Sequence, residues 1–197
     1  DGQIATLKEA GWSAIELRLV GGKNICDHSD EEWAAVRDTL AAEGITIVGF
    51  GGQIGNWARP VTSDFQKDID ELRRVAPRMR EVGAKFLRIM SWPNDKDAPL
   101  SREDWKNEVV RRLRELAPIA EAEGVILAHE NCNGYGESPE GYLELVAEVK
   151  SPALKLIIDT GNNSLHHNSN EATWEYYQKC RDEIVHVHIK SAKPNPE

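Results

Sequence analysis

The sequence predicts an α/β fold, the middle of a (β/α)8 TIM barrel whose strands run parallel. Three observations carry that reading. The segments "EAGWSAIEL" (9–17), "AEGITIVGF" (42–50), "EVGAKFLRI" (81–89) and "AEGVILAHE" (122–130) share one form: a helix-like stretch ends at a glycine and an apolar run follows at once. Two further runs, "LKLIID" at 154–159 and "IVHVHIK" at 184–190, bring the number of strands to six. The runs are short and rich in Ile, Val, Leu and Phe, as strands of a two-sided parallel sheet are. Their recurrence every roughly 30–40 residues, with helical spacing between them, marks βα units.

Taken in order, residues 4–10 read as a helix stopped at Gly11, with the first visible strand after it. Glycine ends a helix by entering the left-handed C′ conformation without a Cβ penalty, and Gly44, Gly83 and Gly124 repeat the device. Ser29 and Glu32 form a capping box ahead of Trp33, Val36 and Leu40. Ser63 precedes Phe65, Ile69, Leu72 and Met79, which keep near-helical spacing up to Gly83. Ser101 and Asp104 open the helix that carries Trp105, Val109, Leu113 and Leu116. Ser138 is an N-cap with Pro139 at the first helical position. Pro77 and Pro118 fall late in their helices and are expected to kink or shorten them.

Two architectures share this pattern. A doubly wound nucleotide-binding sheet should show GxGxxG between a strand and a helix. The glycines of "GFGGQIG" at 49–55 open no evident helix and fit that fingerprint poorly. A barrel needs eight strands and typically ~250 residues, so 197 residues fall about two units short. The expectation is one domain over residues 1–197, truncated at both ends, with the first strand upstream and the last downstream. A natural six-stranded sheet would share the pattern.

Composition narrows the function classes. Lys and Arg number 24 against 33 Asp and Glu, a formal charge of −9 that disfavours a general nucleic-acid surface. Cys26, Cys132 and Cys180 are scattered, with no CxxC pair, so neither a disulfide framework nor a zinc knuckle is indicated. No run approaches the ~20 apolar residues of a membrane span, and residues 1–3 lack the basic and apolar character of a signal segment. A cytoplasmic setting is expected.

In a barrel, chemistry gathers at the C-terminal strand ends. Those ends carry Glu16 and Arg18, then Phe50 to Gly52, then Arg88 to Trp92; Glu130 with Asn131 and Asn133 follows, then Asp159 with Asn162, then His186 with His188. Strand alternation sorts them. His186 and His188 share a face, while Val185, Val187 and Ile189 form an apolar face suited to packing against helices. Ile126, Ala128 and Glu130 share a face, which turns His129 the other way. Glu130, Asp159 and His188 are the best three-ligand set for a metal. One carboxylate at a strand end is more often solvated or paired, but three ligand types on consecutive strand ends shift the balance to a site. Oxygen-rich coordination with one imidazole suits Mn²⁺ or Mg²⁺ first, with Co²⁺ and Zn²⁺ compatible.

The stretches "HENCNGYGESPEGYLEL", "LKLIIDTGN" and "IVHVHIKS" resemble the xylose isomerase-like TIM-barrel superfamily, in its sugar phosphate isomerase/epimerase branch. "AGWSAIELR" resembles the second strand of those proteins. The resemblance implies a site in which Glu, Asp, His and a further Glu, from strands 5 to 8, bind one divalent metal. Glu130, Asp159 and His188 match the first three, and the fourth has no counterpart in these residues. It also implies an isomerase or epimerase of a small sugar or polyol ketone, moving a proton next to a carbonyl through an enediolate, with Glu130 as acid/base. A lyase or dehydratase on a keto-sugar or keto-glycoside, and a non-catalytic barrel serving as a binding subunit, are the alternatives.

Asn133, Asn162, His186 and Lys190 are the expected substrate contacts. Asn162 stands where epimerases usually carry a His. Glu137 lies one residue from the place of a substrate-contacting Glu in some epimerases, and reads equally as a charge ahead of the Ser138 cap. Trp12, Trp57 and Trp92 are candidates for the floor of a sugar pocket, though packing is the commoner use. His28, His166 and His167 fall in loops without a role. Nucleic-acid and membrane partners are not expected; a homo-oligomer is compatible.

Overall fold

Parallel neighbours in a sheet need a crossover between them, and helices are the usual means. The computed structural model, which describes residues 2–167 and 170–190, is built this way throughout. Helix α1 (Gly2–Glu9) leads into β1 (Ala14–Leu17), and α2 (Asp30–Ala42) into β2 (Thr46–Gly51). Next come α3 (Gln66–Val82), β3 (Phe86–Ser91), α4 (Arg102–Glu123) and β4 (Ile126–Gly134). The series ends with α5 (Pro139–Val149), β5 (Leu154–Asp159), α6 (Thr160–His167), α7 (Asn170–Cys180) and β6 (Ile184–His188).

The six strands pair side by side in chain order, every pair parallel. A doubly wound sheet reverses its strand order at a switch point, and no reversal occurs here. The sheet is therefore a half-barrel, with β1 and β6 as its edges. A small antiparallel hairpin, Leu19–Val20 with Lys23–Asn24, follows β1.

The helix signals act as their chemistry predicts. Ser29 Oγ accepts the Glu32 N–H while the Glu32 carboxylate accepts the Ser29 N–H, completing the capping box. Ser101 and Ser138 accept from the N–H groups of Asp104 and Gly141. Gly83 and Gly124 close α3 and α4 at φ 72° and 67°, a region that would strain a side chain. The prolines do not shorten their helices, since α3 runs through Pro77 to Val82 and α4 through Pro118 to Glu123. Buried Leu72, Val75, Ala76 and Met79 in α3, and Leu113, Leu116 and Ala120 in α4, hold both helices on the sheet across the missing hydrogen bond.

The concave face of the sheet has two levels. Phe86, Ala128 and Ile157 cluster with Val48 and Ile126 as an apolar floor. Gly49 makes that floor possible, because a Cβ there would lie 2.3 Å from the Phe86 ring. One step further along the strands the inward side chains become polar. Outside, the helices bury Leu87, Ile89 and Leu127 in the main core.

The outer face of β6 differs from expectation: Val185, Val187 and Ile189 are exposed rather than packed under helices. His166 and His167 lie on the helical backbone of α6 rather than in a loop. Among the described residues, no helix is long and apolar enough to cross a membrane.

Candidate metal centre

The polar level is assembled by strand register. Asp159 pairs with His188 across β5 and β6, and Glu130 pairs with Ile157 across β4 and β5. Glu130 is thus two positions out of register with Asp159, and the inward side chains of three neighbouring strands still converge. His188 Nδ1 lies 3.3 Å from Glu130 Oε1 and 4.0 Å from Asp159 Oδ2. One ligand atom from each of Glu130, Asp159 and His188 falls within 4.8 Å of the others. Both carboxylates are buried, and the imidazole is partly open.

Each of the three residues is also held from behind. Arg88 Nη1 donates to Glu130 Oε2 at 2.8 Å, and Arg88 Nη2 donates to the Gly52 carbonyl. Asp159 Oδ1 accepts the N–H groups of Gly161 and Asn162 at 2.9 and 3.0 Å, where α6 begins. His188 Nε2 donates to Glu16 Oε2 at 2.7 Å. Asn131 Oδ1 takes the Asp159 N–H, and its amide gives hydrogens to the Asp159 carbonyl and to Asn163. One oxygen or nitrogen of each residue is committed to the scaffold and the other faces a shared point. Two carboxylate oxygens and one imidazole nitrogen in that arrangement fit a divalent cation.

The charges are mutually dependent. Burial opposes ionisation of Glu130, yet the hydrogen bond from His188 and the Arg88 guanidinium outweigh it and hold the carboxyl well below the usual range. Burial likewise opposes the His188 imidazolium, but hydrogen bonds to Glu130 and Glu16, with their charges, push it up to about 9. Glu16, Glu130 and Asp159 thus share Arg88, Lys190 and His188 as partners.

The other expected residues divide. Asn162 and Lys190 join the cluster: Asn162 Nδ2 donates to Glu130 Oε1 at 3.3 Å, and Lys190 Nζ reaches Asn162 Oδ1 at 2.6 Å and Asp159 Oδ2 at 3.0 Å. His186 stacks on Phe86 with ring centroids 4.5 Å apart, its Nε2 3.6 Å from Glu16 Oε2. Asn133 stands apart, its amide donating to Cys132 Sγ and its backbone at φ 43°. Glu137 closes a short turn before the Ser138 cap.

Trp92 is not a pocket floor: it is fully buried, its indole donates to Asp68 Oδ2 at 2.7 Å, and its carbonyl accepts from Trp105. Trp12 and Trp57 are exposed. His129 faces away from the cluster and pairs with Ser91 Oγ. Glu16 and Arg88 are the partners without an assigned role in the sequence; their inward positions at strand ends were the available signal.

A family model described as the xylose isomerase-like TIM barrel matches residues 4–197. Inosose dehydratase 1 of Bacillus cereus is 23% identical over 143 residues, 67% of this chain and 47% of that protein, so the match spans about half of the relative's length. A xylose isomerase-like TIM barrel protein from Mycobacterium smegmatis, in complex with magnesium, superposes with a TM-score of 0.77 at 19% identity, covering 96% of this chain and 65% of that one. D-Psicose 3-epimerase from Clostridium cellulolyticum H10, with D-tagatose, gives 0.68 at 16% identity over 96% of this chain and 67% of its own.

Proposed function

This chain belongs to the xylose isomerase-like TIM barrel family, and from that premise we propose that it is a divalent-metal-dependent isomerase or epimerase of a small sugar or polyol ketone. The observation that carries the reading is the convergence of Glu130, Asp159 and His188, each tied behind by a second partner. These residues would hold Mn²⁺ or Mg²⁺, which supplies Lewis-acid polarisation of the substrate carbonyl.

Glu130 moves the proton on the carbon next to that carbonyl, by general acid–base chemistry through an enediolate. Arg88 fixes the orientation of the Glu130 carboxylate. Lys190 and Asn162 stand beside Asp159, where an ammonium and an amide can bind substrate oxygens. His186 and Asn133 are proposed as flanking substrate contacts.

Incubation with a panel of ketoses and Mn²⁺ in deuterated water tests this, with NMR following deuterium uptake at the carbon beside the carbonyl. Uptake that is lost with chelator and in Glu130→Gln is the expected result. The absence of both metal retention and uptake would overturn it. A second reading, a lyase or dehydratase, is favoured by the likeness to inosose dehydratase. It predicts an unsaturated product, or a released aglycone, from the same incubation.

A further inference from the structure

Glu16 and His188 are separated by 172 positions and lie on opposite edges of the sheet, yet they make one of the short polar contacts of the interior. Imidazole has two nitrogens, and a metal needs the lone pair of one of them. Which nitrogen is free depends on the hydrogen bond made by the other. Nδ1 of His188 faces Glu130 Oε1 and Asp159 Oδ2, and Nε2 faces Glu16 Oε2. Carboxylate oxygens face both nitrogens and can only accept. The contact to Glu16, 2.7 Å against 3.3 Å to Glu130 and 4.0 Å to Asp159, makes Nε2 the better placed to keep its hydrogen and leaves Nδ1 for an ion held with the two buried carboxylates. The contact also fixes the rotation of the ring.

We propose that Glu16 is the positioning residue of the metal centre, acting through His188 to orient the ring and set its tautomer for the ion held with Glu130 and Asp159. The inference rests on the metal-dependent reading above. Glu16, His186 and His188 also lie close enough together to hold a cation of their own. That arrangement would require the Nε2 lone pair and a hydrogen on Nδ1, which makes Nδ1 a donor to Glu130 and leaves it no lone pair for an ion between Glu130 and Asp159. Two buried carboxylates beside Nδ1, against one partly exposed carboxylate beside Nε2, favour the positioning role.

The test follows release of Mn²⁺ from the loaded 197-residue chain into excess chelator, a rate that does not depend on proton competition for the empty site. Stoichiometry is measured by equilibrium dialysis, and folding of each variant is checked by circular dichroism. Outer partners of metal-bound histidines are worth about 10–100-fold in metal affinity. Glu16→Gln and Glu16→Ala should therefore release the ion at least about tenfold faster, with one ion per chain retained. Glu16→Asp should recover part of the loss. In the Cd²⁺-loaded protein, nitrogen NMR should show His188 metallated at Nδ1 with a slowly exchanging hydrogen on Nε2, and Glu16→Ala should lose that slow exchange. Unchanged release and exchange in folded variants would overturn the role of Glu16 alone. A fall from two ions to one would make Glu16 a ligand of a second ion, and also overturn it. A parent chain that holds no Mn²⁺ would sink the metal-dependent reading itself.

Discussion

Metal uptake should compete directly with a single proton. His188, pushed up to about 9 between Glu16 and Glu130, must lose a hydrogen before Nδ1 can accept a cation. At pH 7, below that value, most metal-free chains carry that proton, so each ion bound releases about one. Apparent affinity should rise about tenfold per pH unit between about pH 6.5 and 8.5, then level off through about pH 9. Glu130 adds no slope there, because it is held ionised far below that range.

Calorimetric titration of Mn²⁺ in buffers of different ionisation enthalpy measures the proton count, and a pH series measures the slope. A flat affinity with no buffer-dependent heat would refute the reasoning. The same shift carries a stability consequence. A group whose folded pKa lies above its unfolded value stabilises the fold fully below about 6.5, and that contribution is lost as pH rises through about 9. The metal-free protein should therefore lose melting temperature from neutral toward alkaline pH.

Two substitutions probe the surrounding charges. Arg88→Met removes the guanidinium from a pair whose side chains are only 7% and 6% exposed. Removing one partner of a buried ion pair costs up to about 3–5 kcal/mol. Because His188 and Asn162 still face Glu130 Oε1, urea denaturation of the metal-free variant should show a loss at or below the lower end of that range, and less than about 1 kcal/mol would mean that those two compensate Glu130 in full. Lys190→Met removes an ammonium 3.0 Å from Asp159 Oδ2 on a side chain that is 45% exposed. Cation affinity should rise by about tenfold at low salt and by less at high salt; unchanged or weaker binding would mean that Lys190 does not compete for Asp159.

The sheet is legible in the sequence because its signals are local. A glycine stop, an apolar run and a serine cap each act within a few residues, so Gly83, Gly124, Ser29 and Ser138 mark boundaries that the structure keeps. Alternation likewise places Glu130 inward and His129 outward, since period two survives any curvature of the sheet. The partnership of Glu16 with His188 is of another kind. It depends on how far the sheet curls, which no local pattern encodes, and an inward glutamate on a first strand reads by default as solvated. Trp92 departs from the pocket-floor expectation: its backbone takes φ 45° after β3, and the buried indole packs against Phe65 and donates to Asp68. The prolines fail to shorten their helices because propensity measures an isolated helix, and here buried side chains outweigh one missing hydrogen bond.

The Asn131 amide has an effect beyond holding two strand ends together. Joining the Asp159 backbone on both its N–H and C=O sides, it ties the spacing between Glu130 and Asp159 to a neutral group, one that neither salt nor pH can weaken. Two carboxylates that repel each other are kept in company by this neutral link as well as by Arg88 and Lys190. The strain of gathering them is met during folding, when the whole sheet contributes, rather than at the moment of capture. An incoming ion then meets a preorganised socket, whose ordering cost has already been borne by the polypeptide.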